Sequence, residues 1–504
     1  MWKTKILAFR YAIIVVLAIL TTTARSQEML GIVSGNYAGV NSALINPSLI
    51  HNSKLYLDVN LLTVDVFHQN NYLYIARDEY KFINFFKNDY NYPTHPSDNG
   101  SGDRPLYTHN NTSNKHSYTQ LRVIGPSAML QVNDHAFAIH MGTRVTNVVK
   151  DLPYDMANYF YYGLGYLPQR QVRYSNEEKF ISTTMTWSEI AFTYALILKK
   201  FYKNKWTAGV TVKGLIGHGG SYVNGYYVDY TVPDGSTIDI HRLDMDMGYA
   251  LPVDYHTNEF LPGGIIKGSG VGFDLGVTYQ RNKRGHSNVK YRKLCQQQFD
   301  AYDYRIGFSL LDFGSVKFTD NARLYQFADD QALWENVDSL FRTYDNLNEI
   351  SEALSDKFCG DPNYAMTANE FSIALPAAVS VQFDYHYRNA IYLNATWVQP
   401  VRLGKAYIYR PSVLAITPRY ETGALGFMLP VSLYDYRNPR IGAAVRFYNF
   451  TVGTDKILGF FNLTNFTGLD LYVSVKLFIP KGNCTRSRKK NLYCNDTPYR
   501  MNKN

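Results

Sequence analysis

The chain has 504 residues, of which 18% are charged and 15% aromatic, including 43 tyrosines, and its formal net charge is +9. So little charge and so much tyrosine are unusual for a soluble surface, but they are typical of barrels whose strands carry aromatic girdles. The positive charge lies mainly in residues 1–26, with four cations, and in the tail 481–504, with seven cations and one acid. The body between them is nearly neutral, so the charge predicts no nucleic-acid partner.

Residues 1–26 have the organisation of a secretory signal peptide. Three cations precede an apolar stretch from Tyr11 to Leu20, and Ala24 and Ser26 occupy the −3 and −1 positions of a cut before Gln27. A membrane anchor is the alternative, but the apolar run is shorter than the ~20 residues that a membrane helix needs.

Apolar and polar side chains alternate in many segments from residue 54 to residue 480. In GVGFDLGVTY (270–279), large apolar side chains alternate with Gly, Asp and Thr, as in a strand with one apolar face. We count 14 such segments, joined alternately by short turns, such as Asn133-Asp134, and by long connections at 67–116, 148–182, 218–267 and 319–369. An even number of strands with this asymmetry predicts an all-β fold, a 14-stranded antiparallel transmembrane β-barrel in outer-membrane lipid. A secreted protein of two β-sandwiches is the alternative.

One long connection has helical periodicity. Apolar residues recur at spacings of three and four from Leu333 to Leu354, which predicts an amphipathic helix at about 333–357. Short turns of such barrels face the periplasm and long loops face outward. We therefore expect this helix in an extracellular loop, and the C-terminus, the insertion 281–301 and the basic periplasmic tail 481–504 on the other side.

Four cysteines in an exported chain permit disulfides. Cys484 and Cys494 lie close together in the tail and are predicted to pair. Cys295, in the insertion on the same side, is the rival partner for either of them, whereas Cys359 is expected outside.

Each of six successive strands carries a charged residue at a position that the alternation assigns to the inside of the barrel. The signs of these charges alternate along the chain: Arg144, Glu189, Lys213, Asp274, Arg305 and Asp384. Because neighbouring strands are hydrogen-bonded, opposite charges at similar height can pair across them. The sequence thus predicts a ladder of paired charges that braces a filled lumen. Independent, hydrated charges are the alternative.

The stretch GNYAGVNSALINPSLI (35–50) resembles the hatch region of the FadL/PorV-like outer-membrane barrels, which have 14 strands. Their usual motif is Asn-Pro-Ala, whereas here Asn46-Pro47 is followed by Ser48. The segments SLLDFGSVKF, TPRYE and FTVGTDKILG resemble an uncharacterised Bacteroides-type outer-membrane family related to that group. The resemblance implies that residues 27–53 form an N-terminal hatch in the lumen of the barrel 54–480. A disordered leader is the alternative.

The sequence carries no recognisable catalytic, metal-binding or cofactor-binding pattern, so we predict neither an enzyme nor a cofactor. Two functions follow from the resemblance. The FadL-like part implies binding or transport of a small apolar molecule. The PorV-like part implies a receptor or scaffold subunit of a secretion or assembly complex with protein partners.

Overall fold

The computed structural model describes residues 28–80, 105–260, 264–285, 291, 293–335, 337 and 346–482. The predicted signal peptide 1–26 and the tail cysteines Cys484 and Cys494 lie outside these residues. The described helices are α1 (Leu30–Val33), α2 (Tyr154–Tyr162) and α3 (Leu347–Cys359), with short 3₁₀-helices at Gly39–Leu44, Pro47–Ile50, Leu167–Gln169, Leu294–Gln296 and Ile457–Phe461. Within the described ranges, no helix has the length and apolar character needed to cross a membrane.

Most of the described chain is strand. In chain order the strands are β1 (Leu55–Asn70), β2 (Leu73–Tyr74), β3 (Tyr107–Thr108), β4 (Lys115–Ile124), β5 (Ser127–Val132), β6 (His135–Leu152), β7 (Arg173–Asn176), β8 (Phe180–Phe201), β9 (Asn204–Thr231), β10 (Ile238–Ala250), β11 (Gly268–Asn282), β12 (Tyr302–Phe318), β13 (Ala322–Trp334), β14 (Met366–Ala368), β15 (Phe371–Ala374), β16 (Ala378–Arg388), β17 (Ile391–Pro400), β18 (Val413–Glu421), β19 (Leu425–Met428), β20 (Val431–Tyr434), β21 (Asn438–Ile441), β22 (Ala443–Phe447), β23 (Phe450–Thr454) and β24 (Asp470–Pro480).

These strands close into an antiparallel barrel with 14 positions around its wall. The positions are β1, β4 with β5, β6, β8, β9, β11, β12, β15 with β16, β17, β18, β19 with β20, β21 with β22, β23 and β24. The last strand pairs with the first, since Val64 lies opposite Val473. This closure confirms the predicted all-β, 14-stranded barrel, and the two-sandwich alternative is wrong.

The outer surface of the barrel is apolar and its interior is polar. On β11, Val271, Phe273 and Leu275 are 58%, 46% and 51% exposed, whereas the intervening Asp274 is 2% exposed. Successive side chains of a strand point to opposite faces, so the large apolar residues of 270–279 lie on the outside.

Beyond the barrel wall, β9 continues to Thr231 and pairs with β10, which in turn pairs with β13. The prediction of a loop throughout 218–267 is therefore wrong, as it is for the strand part of 319–369. This extension has one apolar face that packs on α3, where Phe327 contacts Phe358 at 5.4 Å between ring centroids. Much of that apolar face consists of tyrosine and methionine, and for this reason the sequence analysis did not recognise the alternation of apolar and polar residues in these strands.

The predicted helix at 333–357 is wrong at its start. Leu333 belongs to β13, and α3 begins only after Asn346, whose side chain accepts a hydrogen bond from the Glu349 amide. An Asn at this position satisfies an amide that the first helical turn leaves free. Apolar spacing alone did not reveal this cap, and Gly360, with φ of 73°, ends the helix.

Candidate functional site

Residues 28–53, hereafter the N-terminal segment, lie inside the barrel. The Val40 amide donates to Asp58 on β1 at 2.7 Å, and Asn36 Nδ2 donates to Glu421 on β18 at 2.8 Å. These strands occupy different parts of the closed wall, so the segment spans the lumen between them. A disordered leader does not describe these residues.

Asn46 and Pro47 lie in the part of the N-terminal segment that contacts the barrel wall. Asn46 caps the 3₁₀-helix that begins at Pro47: its Oδ1 accepts from the Ser48 amide at 3.0 Å. Its Nδ2 donates to Gln382 Oε1 on β16 at 2.9 Å. Asn46 is fully buried. The Asn46 side chain therefore stabilises the turn and also binds it to the barrel wall.

Glycines on three neighbouring strands form the recess that receives this turn. A Cβ atom on Gly276 would lie 2.1 Å from Asn46 Oδ1, one on Gly209 2.6 Å from the Pro47 carbonyl carbon, and one on Gly307 2.9 Å from Asn46 Nδ2. These approaches are far shorter than ordinary contacts. The small residues of the inward face are thus required by the close approach of the N-terminal segment.

A buried charge group around Asp384 clamps the same segment. Asp384 is 2.7 Å from Arg305 Nη2 and 2.9 Å from Arg419 Nη2. Arg305 also donates to Asn36 Oδ1 at 2.9 Å, and Asn36 in turn contacts Glu421. Each arginine therefore has a carboxylate partner, as buried cations require.

A second buried group surrounds Asp312 on β12. Asp312 Oδ2 lies 3.0 Å from Arg144 Nη1, and its Oδ1 lies 2.5 Å from Lys213 Nζ. Arg144 also pairs with Glu189 at 2.9 Å, and Lys213 with Asp274 at 2.8 Å. One carboxylate thus joins two pairs that would otherwise be separate.

Strict alternation of side chains along β12 predicts that Asp312 faces outward, whereas in the structure it faces the lumen. The register of β11 and β12 shifts between Phe273 and Leu275, and Asp312 has φ of 55°, so a β-bulge turns its side chain inward. Aspartate tolerates this left-handed conformation better than most residues. In the sequence, the one indication of this bulge is an aspartate at a position where the alternation predicts an apolar side chain.

The six residues of the predicted ladder form three pairs. Arg144–Glu189, Lys213–Asp274 and Arg305–Asp384 are all within 2.9 Å, and all six side chains are buried. Among the described residues, Glu189 makes no ion pair with Lys213, nor Asp274 with Arg305. The charges are therefore gathered into two groups rather than one ladder.

A second segment, residues 401–412, also enters the lumen, and we name it the inner loop. The Ile408 amide donates to the Ala374 carbonyl at 3.0 Å, and Ile408 is 2% exposed. Arg410 reaches from this loop to Glu28, with Nη2 2.5 Å from Oε1, and lies 3.5 Å from Asp312. The sequence did not predict this loop, because a tyrosine-rich connection resembles any surface loop.

A cavity of about 320 Å³ lies at the end of the barrel opposite the short turns. Its walls include Tyr118 of β4, Val148 of β6, Tyr434 of β20 and Tyr409 and Pro411 of the inner loop. Tyr118, Val148 and Tyr434 are at most 5% exposed. Polar groups also line it: His116, Lys150, Asp151, Asp435 and Arg437. Apolar and polar groups thus line the cavity in similar measure, and aromatic walls with polar groups that orient the ligand occur in sites for small organic molecules.

Cys295 is disulfide-bonded and Cys359 is a free thiol. The chain has four cysteines. Both tail cysteines lie outside the described residues. The predicted Cys484–Cys494 bond, and the rival bond from Cys295 to either of these cysteines, therefore stay predictions.

A family model described as "Family of unknown function (DUF5723)" matches residues 47–455, most of the chain. The chain belongs to this family. The matched region includes Pro47 and both charge groups except for the N-terminal Glu28 and Asn36. No curated protein matches the chain.

This DUF5723 chain is also similar to solved structures. The toluene transporter TbuX of Ralstonia pickettii has 12% identity and a TM-score of 0.37, covering 88% of this chain and 94% of that one. The toluene transporter TodX of P. putida has 9% identity and a TM-score of 0.38, covering 90% and 100%. A Pseudomonas aeruginosa FadL homologue has 10% identity and a TM-score of 0.39, covering 90% and 98%.

Proposed function

We propose that this protein is a non-enzymatic outer-membrane barrel that binds a small apolar molecule in the 320 Å³ cavity and passes it across the membrane. The cavity is the observation that carries the proposal. Its buried walls are aromatic and aliphatic, and its volume suits a molecule of one or two rings. The apolar outer surface is suited to lipid.

Exposed aromatic residues at the short-turn end support insertion in a membrane. Phe201, Tyr202, Tyr387, Phe447 and Tyr448 are 57–70% exposed and lie in or beside three short turns. Aromatic side chains prefer the interface between lipid and water. We place this end in the periplasm, since short turns of such barrels face that side.

In the proposed transport cycle, the N-terminal segment acts as a hatch and the inner loop as its cover. The inner loop forms one wall of the cavity through Tyr409 and Pro411, and between them Arg410 binds Glu28. Release of this ion pair would free the cover from the hatch and connect the cavity with the interior.

Among the described residues we find no feature that favours the receptor or scaffold function, so we do not propose it.

Binding of an apolar fluorescent probe tests the site. N-phenyl-1-naphthylamine is titrated into the purified barrel in detergent, and Val148→Trp, which fills the cavity, is compared with Val271→Trp on the outer surface. We expect Val148→Trp to weaken binding about tenfold, or about 1.4 kcal/mol, and Val271→Trp to bind like the wild type. Equal affinities in all three proteins would refute the site.

A further inference from the structure

A second cavity, of about 630 Å³, lies at the short-turn end of the barrel. Its walls are the end of the N-terminal segment, the β5–β6 turn, Lys200 of β8 and Lys205 of β9, and residues 283–285, 291 and 297–301 between β11 and β12. Gln297 of that connecting chain fixes it over the opening: its Oε1 accepts from the Asn133 amide, and its Nε2 donates to the Gln131 carbonyl, both at 2.9 Å. This cavity is separate from the proposed apolar site, which lies at the opposite end.

The cavity is lined by more cations than acids. The cations are Lys200, Lys205, Lys283, Arg284 and Lys481, and the acids are Asp134 and Asp300. Lys200 pairs with Asp134, and Lys205 Nζ lies 3.5 Å from Asp300. Among the described residues, no carboxylate pairs with Lys283, Arg284 or Lys481. The lining thus has three more basic than acidic side chains.

Several polar residues in the lining are almost fully buried, among them Lys205 and His51. Lys205 and His51 are each 3% exposed, and His51 Nδ1 has no hydrogen-bond partner among the described residues. A buried ammonium costs free energy unless a counter-charge and hydrogen bonds compensate it. Asp300, at 3.5 Å from Lys205, is a loose partner for that purpose.

Lys481 shows the same lack of counter-charge. It follows the last residue of β24, and the one acceptor that its Nζ reaches among the described residues is the His51 carbonyl, at 3.5 Å. Burial, together with the nearby Lys205 ammonium, lowers the pKa of Lys481 to about 7. An anion between these two ammonium groups would stabilise both in their charged form.

We propose that this cavity binds a phosphate group, held by Lys205, Lys481 and His51. A phosphate carries up to two negative charges and several acceptor oxygens, which suits two ammonium groups better than a single carboxylate does. His51 Nδ1 donates to it in the tautomer in which Nε2 accepts from Gln131 Nε2, at 3.1 Å. The cavity is large enough for the phosphate and a substituent. Free phosphate and a phospholipid headgroup offer the same chemistry.

Calorimetry with inorganic phosphate tests the proposal on the full chain in uncharged detergent at pH 7, with sodium chloride as the reference titrant. The double variant Lys205→Gln/Lys481→Gln removes two ligands, and Lys317→Gln is the matched control, because Lys317 pairs with Glu370 on the exposed surface. We expect the double variant to weaken phosphate binding at least tenfold and the control to bind like the wild type. Heat-modifiable migration on a gel shows that each variant is folded.

A second measurement distinguishes the two sources of phosphate. Native mass spectrometry counts phosphatidylglycerol molecules retained by the wild type and by the double variant after extraction from nanodiscs. Retention that the double variant loses, without binding of inorganic phosphate, assigns the site to a headgroup. The proposal is overturned if the double variant changes neither phosphate affinity nor phospholipid retention.

Discussion

Arg410 and Glu28 form a bidentate ion pair inside the barrel, with Arg410 Nη2 2.5 Å from both carboxylate oxygens and Nε 2.8 Å from Oε1. Their side chains are 9% and 8% exposed. The pair joins the two segments that fill the lumen, although 382 residues separate them in sequence. Breaking a buried pair by removing one partner costs about 3–5 kcal/mol, because the other charge stays buried.

Arg410→Ala should therefore loosen the lumen. We expect larger and more frequent ion-conducting openings in planar bilayers than the wild type shows. Arg402→Ala, an exposed position on the same inner loop, should leave the conductance unchanged. A conductance trace of Arg410→Ala that matches the wild type would mean that this pair does not hold the lumen closed.

Gly276→Val should prevent docking of the N-terminal segment, because a Cβ atom at this position would lie 2.1 Å from Asn46 Oδ1. Overpacking of this kind costs about 1–3 kcal/mol. We expect a lower unfolding midpoint and faster trypsin cleavage near residue 54. Gly214→Val is the control, since the nearest atom to its Cβ, the Ile190 carbonyl oxygen, is 3.9 Å away. Equal cleavage of both variants would argue against the recess.

Phe273→Arg should impair assembly, since Phe273 is 46% exposed on the outer surface. An arginine facing lipid near the midplane costs about 2–4 kcal/mol. Heat-modifiable migration after refolding into vesicles measures the folded fraction, with Phe273→Leu as control. If Phe273→Arg folds as completely as Phe273→Leu, the outer surface at this position does not face lipid.

Peptide mapping without reduction decides the disulfide. Because Cys295 is bonded and Cys359 is free, we expect a cross-linked peptide between Cys295 and one tail cysteine, Cys484 or Cys494. In Cys295→Ser, the tail should lose this link to the connection between β11 and β12. A peptide that joins Cys484 to Cys494 in the wild type would restore the pairing expected from sequence.

Binding of an anion at Lys481 should weaken as the pH rises. Its lowered pKa, about 7, means that the ammonium form that attracts an anion is lost above neutral pH. Sulfate affinity should fall about tenfold between about pH 6 and about pH 8.5, and Lys481→Met should flatten this dependence. The other charged groups facing Lys481 are His51, Lys200, Lys205, Asp300 and Arg305. If the dependence persists in Lys481→Met, Lys481 is not the group whose titration controls anion binding.

The sequence predicted the barrel because strand alternation and the asymmetry of turns and loops are local patterns. The sequence also predicted three pairs of opposite charges. The alternation shows which side chains face the lumen, and the order of the strands along the chain shows which of them are neighbours. The sequence missed Asp312, where a bulge breaks the parity, and Arg410, whose partner Glu28 is brought near only by the closed barrel. The inner loop has no periodicity, so only the tertiary structure shows that its residues 406–408 and 410–412 are buried.

Uptake of N-phenyl-1-naphthylamine by cells that express the protein in their outer membrane tests the central claim most directly. The probe fluoresces when it enters lipid, and the outer leaflet of these cells slows its entry. We predict that the wild type and Val271→Trp accelerate uptake severalfold over cells without the protein, whereas Val148→Trp does not. Uptake by Val148→Trp cells at the wild-type rate, with equal amounts of folded barrel, would contradict transport through the 320 Å³ cavity.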